Sequence, residues 1–277
     1  MNKMSFLGVI VADGCNPNGN PLGDNMPRQD NDGYGLISSD CLKRKLRNRV
    51  AAMGNEIFCQ NEYTVGYDGI RTLSERAKAS LDLSASREEI IRAACARWYD
   101  ARTFGQVIGV AAKKQKGDDG GSGVALSIRG PVSVGYARSV DVITPQRIEI
   151  VTGGVQSERQ KGAMTYGHHY IVGKAAYVFT GGIWPQLAER TGFDEADAQT
   201  LHEALKTMYD GDASRARPEG SIVLHRLLWW THDCSFGSVN PARLFNSVEI
   251  QPLNVYPYYT LKFTEDFSRV SLDDYTI

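Results

Sequence analysis

Cysteine is scarce in this 277-residue chain. Five residues, Cys15, Cys41, Cys59, Cys95 and Cys234, make an odd count with no C-x-x-C spacing. That argues against a disulfide framework and against a thiolate zinc site, so reduced, mostly buried thiols are expected. Histidine is equally scarce, and only His168 and His169 adjoin. Neighbours on a strand face opposite ways, so a shared metal ion is not expected either. No apolar run approaches the roughly 18 residues of a membrane span. The run Phe6 to Ala12 is cut short by Asp13, too soon for a signal peptide, and a cytoplasmic protein is expected. Phosphate and hydrolase motifs are missing too. Gly167 and Gly173-Lys174-Ala175 have the wrong spacing for a Walker loop, and there is no G-x-S-x-G or H-E-x-x-H. Asn16, Asn18 and Asn20 alternate like a calcium loop, but Pro21 and Pro27 stand where its Gly and Glu belong. No cofactor, metal or catalytic role is expected.

Charge is present but unevenly spread. The formal net charge is −1, yet Lys43, Arg44, Lys45, Arg47 and Arg49 put five cations into seven residues without an acid. Asp194, Glu195, Asp197, Glu203, Asp210 and Asp212 reverse the balance. A neutral total of this kind suggests one basic and one acidic face, the first suited to a polyanion.

The apolar pattern supplies the elements. Phe6 to Ala12, β-branched at its centre, reads as a strand buried on both faces. The Asn-, Gly- and Pro-rich segment 13–35 reads as a functional loop. Ser38 or Ser39 caps a helix over 39–53 whose Leu42, Leu46, Val50 and Met53 form the seam, with Gly54 as its stop. Residues 55–85 are poorly patterned. Ser86 and Glu89 make a capping box for a second helix, and 103–111 reads as a strand. Strands over 170–180 and 221–231 flank a helix over 194–209. The order is βαββαβ: an α+β, ferredoxin-like or RNA-recognition arrangement in a single domain, with insertions at 13–37, 55–101 and 112–169.

On a helical wheel, Lys43 and Arg47 flank one side of the seam of the first helix, Lys45 and Arg49 the other, and Arg44 points away. With no acid at i±4 inside the run, these charges repel unless a polyanion is near. Reversing Lys43 and Arg47 is therefore expected to spare the fold and impair polyanion binding. The capped start of the helix after a Gly-rich loop suits a phosphate.

Several fragments occur here in one order: Asn16-Pro-Asn-Gly-Asn-Pro21, Asn25-Met-Pro-Arg28, Gly35 through Asn48, Arg102-Thr-Phe-Gly105, Arg129-Gly-Pro-Val and Tyr136-Ala-Arg-Ser139. Together they resemble the backbone subunit of the type I-C CRISPR surveillance complex, Cascade, of the RAMP superfamily. The resemblance implies a palm with finger insertions and a thumb, the latter within 152–169 or, in competition, 112–124. It implies a non-catalytic subunit that polymerises head to tail along guide RNA (crRNA) and presents its bases to target DNA. Other Cascade subunits, namely the repeat-processing endonuclease, the large and the small subunit, would be partners. By motif position Ser38, Lys43 and Arg47 would contact guide phosphates. Arg44, Arg28, Arg129, Arg138 and His168 are further RNA-binding candidates. The rival implied by type III relatives is an endoribonuclease using His168 or one of Asp24, Asp30 and Asp32.

Overall fold

The computed structural model describes residues 1–110, 124–152 and 165–277. Its elements run β1 (Met4–Cys15), β2 (Gly19–Asn20), β3 (Met26–Pro27), β4 (Tyr34–Ile37), α1 (Ser39–Ala52), α2 (Leu73–Ser80), α3 (Arg87–Arg97), α4 (Tyr99–Phe104), β5 (Gly105–Val110) and β6 (Val124–Arg129). Then follow β7 (Val132–Val134), β8 (Ala137–Val142), β9 (Pro145–Thr152), β10 (Thr165–Ile183), α5 (Pro185–Thr191) and α6 (Glu195–Lys206). The chain closes with β11 (Ile222–His232), α7 (Pro241–Asn246), β12 (Val248–Pro252), β13 (Tyr259–Phe263) and β14 (Val270–Thr276).

A large antiparallel sheet in the order β14-β11-β1-β10-β8-β4 organises the molecule, with β7 and β9 also paired to β10. β1 is central, as its apolar run requires. Phe6, Ile10 and Ala12 enter a core shared with α1 and α6, while Leu7, Val9 and Val11 enter the opposite core under β12–β13 and α7. The two-residue period of a strand explains why a continuous hydrophobic run satisfies two layers. The same alternation divides β11: Leu227 and Trp229 serve the first core, Leu228 and Trp230 the second.

The second palm strand expected at 103–111 is elsewhere. Among the described residues β5 pairs only with β6, as a separate two-stranded sheet, and β7, β8 and β9 take the place beside β10. In β5, Ile108 is buried while Val107 is exposed. A strand with one apolar face covers a neighbouring helix layer and is unsuited to a doubly buried position. That layer is the insertion, where Phe58, Ala77, Ile90, Ala94 and Trp98 form a core with Ile108, Leu126 and Ile128.

Helix ends follow their caps. Ser86 and Glu89 form the expected box on α3, and Asp194 and Asp197 form another on α6. The segment 55–85, expected to be irregular, contains α2, whose Thr72 side chain accepts from Glu75 N at 3.2 Å. The Thr72-x-x-Glu75 spacing was the available signal. Thr72→Ala should cost α2 about 1 kcal/mol. The readout is faster hydrogen exchange of the α2 amides with little change in the global melting temperature. Met53, assigned to the α1 seam, is instead the exposed C-cap residue. The tail after β11 supplies α7, β12, β13 and β14. Both thumb expectations fall largely on 111–123 and 153–164, outside the described residues. The parts of 152–169 that are described belong to the β9–β10 ladder.

Candidate nucleic-acid interface

α1 starts immediately after the sheet-edge strand β4. Ser38 caps it from an extended conformation, accepting Cys41 N at 3.2 Å, and its own N–H donates to Asn18 Oδ1 at 2.9 Å. Asp40 in the first turn and Arg49 in the last oppose the helix dipole. The Ser38 hydroxyl proton has no acceptor among the described residues, which leaves it for a ligand oxygen. Burial raises the Cys41 thiol pKa, a rise that nearby Lys45, Arg217 and Arg28 oppose.

The two flanks of α1 face different partners. Lys45 is buried and donates to Asp212 Oδ1 at 2.6 Å, and Asp212 also holds Arg217. Arg49 donates to Thr207 Oγ1 at 2.8 Å and lies 3.8 Å from Asp210. On the other flank, Arg47 Nε donates to Asp100 Oδ2 at 2.9 Å. Asp100 is 1% exposed and also accepts Phe58 N and Cys59 N. Arg44 donates to the Cys59 carbonyl at 2.7 Å, and burial lowers its pKa.

This corrects the expectation of five charges awaiting a polyanion. The acids are not at i±4 but arrive from α4 and from the segment after α6. The stretch 194–212 is thus not a separate acidic face, because Asp212 and Asp210 answer Lys45 and Arg49, and Asp197 answers Arg102. Arg47 keeps the predicted flank but is an internal ion pair, and Arg44 is covered by the insertion. Lys43 alone in the run has no hydrogen-bonded or ionic partner among the described residues. Its Nζ stands 5.9 Å from the Phe104 ring centroid.

The remaining candidates fall into three places. Arg129, exposed and without an ion-pair partner among the described residues, ends β6 opposite Gly105, beside Phe104. Arg28 and Arg138 flank β4: Leu36 N donates to the Arg28 carbonyl, and Leu36 faces Arg138 in register. The Arg28 Nε is buried without an acceptor among the described residues. Arg138 stacks on Tyr34 at 3.7 Å and donates to Asp30 Oδ2 at 2.8 Å, which holds the Asp30 pKa below the usual carboxylate range. His168 lies apart, on β10. Its Nε2 is 2.6 Å from Asp24 Oδ2 and its Nδ1 is 3.3 Å from Arg147 Nη2. Asp24 also accepts from Tyr170, and these hydrogen bonds, that of His168 first, lower its pKa.

The pairing of Asp24 with His168 unites the two groups named for an endoribonuclease. The geometry suits a brace better. An imidazole that donates from Nε2 to a carboxylate and accepts a guanidinium proton at Nδ1 keeps no lone pair for a general base. Asp100 and Tyr34 were not singled out in the sequence, though an Asp within Trp98-Tyr99-Asp100-Ala101 was a signal of a buried, bonded carboxylate. Among the described residues no cluster of three potential metal ligands occurs, and no helix is long and apolar enough to cross a membrane.

The family model for CRISPR-associated protein Cas7 matches residues 2–277. The chain belongs to the Cas7 family. A curated relative from Haloferax volcanii, CRISPR-associated protein Cas7, is 28% identical over 216 residues, covering 73% of this chain. The aligned region spans 62% of that relative's length. A chain of a solved "CRISPR RNA-guided surveillance complex, pre-nicking" aligns with TM-score 0.46 and 14% identity, covering 83% of this chain and 78% of its own. A second, from a "CRISPR RNA-guided surveillance complex", aligns with TM-score 0.41 and 15% identity, covering 83% and 69%. In this family member Lys43 of α1 lies by Phe104 at the end of α4, and Arg129 of β6 pairs with the next residue, Gly105.

Proposed function

We propose that this Cas7 family member is the repeated backbone subunit of a type I-C Cascade-like surveillance complex. It binds the phosphate backbone of guide RNA without sequence preference and joins other copies head to tail. The observation that carries this reading is that half-buried Lys43 and exposed Arg129 have no ionic partner among the described residues, while the other cations of α1 are internally bonded. Phosphate contacts fix position without reading sequence, which suits a protein that carries many guides. Base pairing then supplies recognition of target DNA. Non-closing heterologous contacts would build the filament, to which the endonuclease, large and small subunits would attach. The subunit has no catalytic step of its own.

The order β11-β1-β10-β8 supports a ferredoxin-like palm in which β7 and β8 replace the strand expected at 103–111. On this reading the chain is one domain. The insertion 55–101 forms a finger that buttresses α1, and the segments within 13–37 and 112–169 supply the other finger and thumb.

Titrating salt against binding to single-stranded RNA of graded length tests the proposal. If each copy neutralises about four phosphates, log K falls by roughly 3 per decade of salt for each copy bound. The mass of the complex should grow stepwise with RNA length. Affinity insensitive to salt, or a strong preference for one short sequence, would overturn it.

A further inference from the structure

Two sequence fragments, Arg102-Thr-Phe-Gly105 and Arg129-Gly-Pro-Val132, are far apart in the chain but cross in the structure. Gly105 has φ 80° and pairs with Arg129. A Cβ on Gly130 would lie 2.3 Å from the Thr103 carbonyl oxygen, and one on Gly105 would lie 2.4 Å from that of Ile128. Only residues without side chains allow this approach. The crossing places Phe104, the last residue of α4, beside Arg129 at the end of β6.

Phe104 is half-buried and packs against the main core. Arg47 Cζ lies 5.2 Å from its ring centroid and Lys43 Nζ 5.9 Å. These two cations are unequal. Arg47 is fixed by Asp100. Lys43 has no such tether, and its long stem can move the ammonium off the ring. Arg129, paired in register with Gly105, is exposed and likewise untethered among the described residues. An aromatic ring with one untethered cation beside it and a second on the strand paired to the next residue suits a nucleotide: the ring takes the base and the cations take neighbouring phosphates.

We propose that Phe104 is a stacking platform for one nucleobase of bound single-stranded RNA, with Lys43 and Arg129 on the flanking phosphates. This rests on the RNA-binding reading above. It is compatible with sequence tolerance, since every base offers a π-face.

The test compares the full chain with Phe104→Leu and Phe104→Trp. The probes are a fluorescently labelled oligouridine and an abasic ribose-phosphate oligomer of the same length, read by anisotropy. Leucine retains apolar contact with the core but removes the ring. Phe104→Leu is expected to weaken oligouridine binding roughly tenfold, the scale of one stacked base. On the abasic oligomer it should bind like the parent. Phe104→Trp should bind oligouridine at least as well as the parent, and it carries the test if the leucine variant does not fold. Equal losses on both oligomers, or no loss by Phe104→Leu on oligouridine, would overturn the platform. So would a tryptophan variant that loses oligouridine binding while it retains abasic binding. Failure of the parent chain to bind either oligomer would instead overturn the RNA-binding reading, and the platform with it.

Discussion

Asp100→Ala is expected to destabilise the protein by about 3–5 kcal/mol. The carboxylate is 1% exposed and satisfies three donors: Phe58 N at 2.6 Å, Cys59 N at 3.1 Å and Arg47 Nε at 2.9 Å. Alanine leaves two backbone N–H groups without an acceptor and a guanidinium, 13% exposed, without its counter-charge. The loss also loosens the junction between α1 and the insertion, because Phe58 packs on Trp98 with ring centroids 4.6 Å apart. For a chain of this size the melting temperature should fall by on the order of 10 °C. Arg47→Met should cost less, since Asp100 keeps both backbone donors. A melting temperature for Asp100→Ala within about 2 °C of the parent would refute this account of the junction.

Charge reversals along α1 should separate structure from binding. Lys45→Glu places a carboxylate against Asp212, in a position where the lysine is 6% exposed and bonded at 2.6 Å. Arg47→Glu does the same against buried Asp100. Arg47→Glu should cost about 3–5 kcal/mol, because buried Asp100 loses its partner and gains a repulsion, and Lys45→Glu should cost less, because partly buried Asp212 keeps Arg217. Lys43→Glu meets no buried acid among the described residues, only exposed Asp40 one turn away, and should change stability by about 0.5 kcal/mol or less. Its effect belongs to RNA binding: roughly a tenfold loss of affinity per copy, and a salt slope shallower by ~0.7. Reversing Lys43 and Arg47 together would therefore confound the two effects, contrary to the wheel-based expectation that the fold survives. Thermal melting and RNA binding on the three single variants distinguish them. If Lys43→Glu binds RNA like the parent, the exposed flank of α1 is a solvated surface only.

The wheel separated the flanks of α1 correctly, and Leu42, Leu46 and Val50 are buried as their spacing required. It could not distinguish Lys43, which has no ionic partner among the described residues, from Arg47 on the same flank. Both are long cations one turn apart, and their difference is set by Asp100, a residue on another helix. The placing of Asp24 on His168 was likewise invisible, because residues 144 positions apart meet only through the β9–β10 arm.

Sequence alone determined the features that depend on near neighbours. The apolar run of β1 and the alternation in β11 specify buried strands by period. Ser38, Ser86 and Asp194 specify helix starts, because each cap bonds a backbone group three residues on. Tertiary structure decided which strand lies beside β10, and it decided where the charge of α1 goes. Asp100 is 53 residues from Arg47 and Asp212 is 167 residues from Lys45. Coulomb attraction depends on distance in space and on burial. Whether a cation run is spent inside the protein or left for a polyanion is therefore settled only when the sheet brings those acids to the helix.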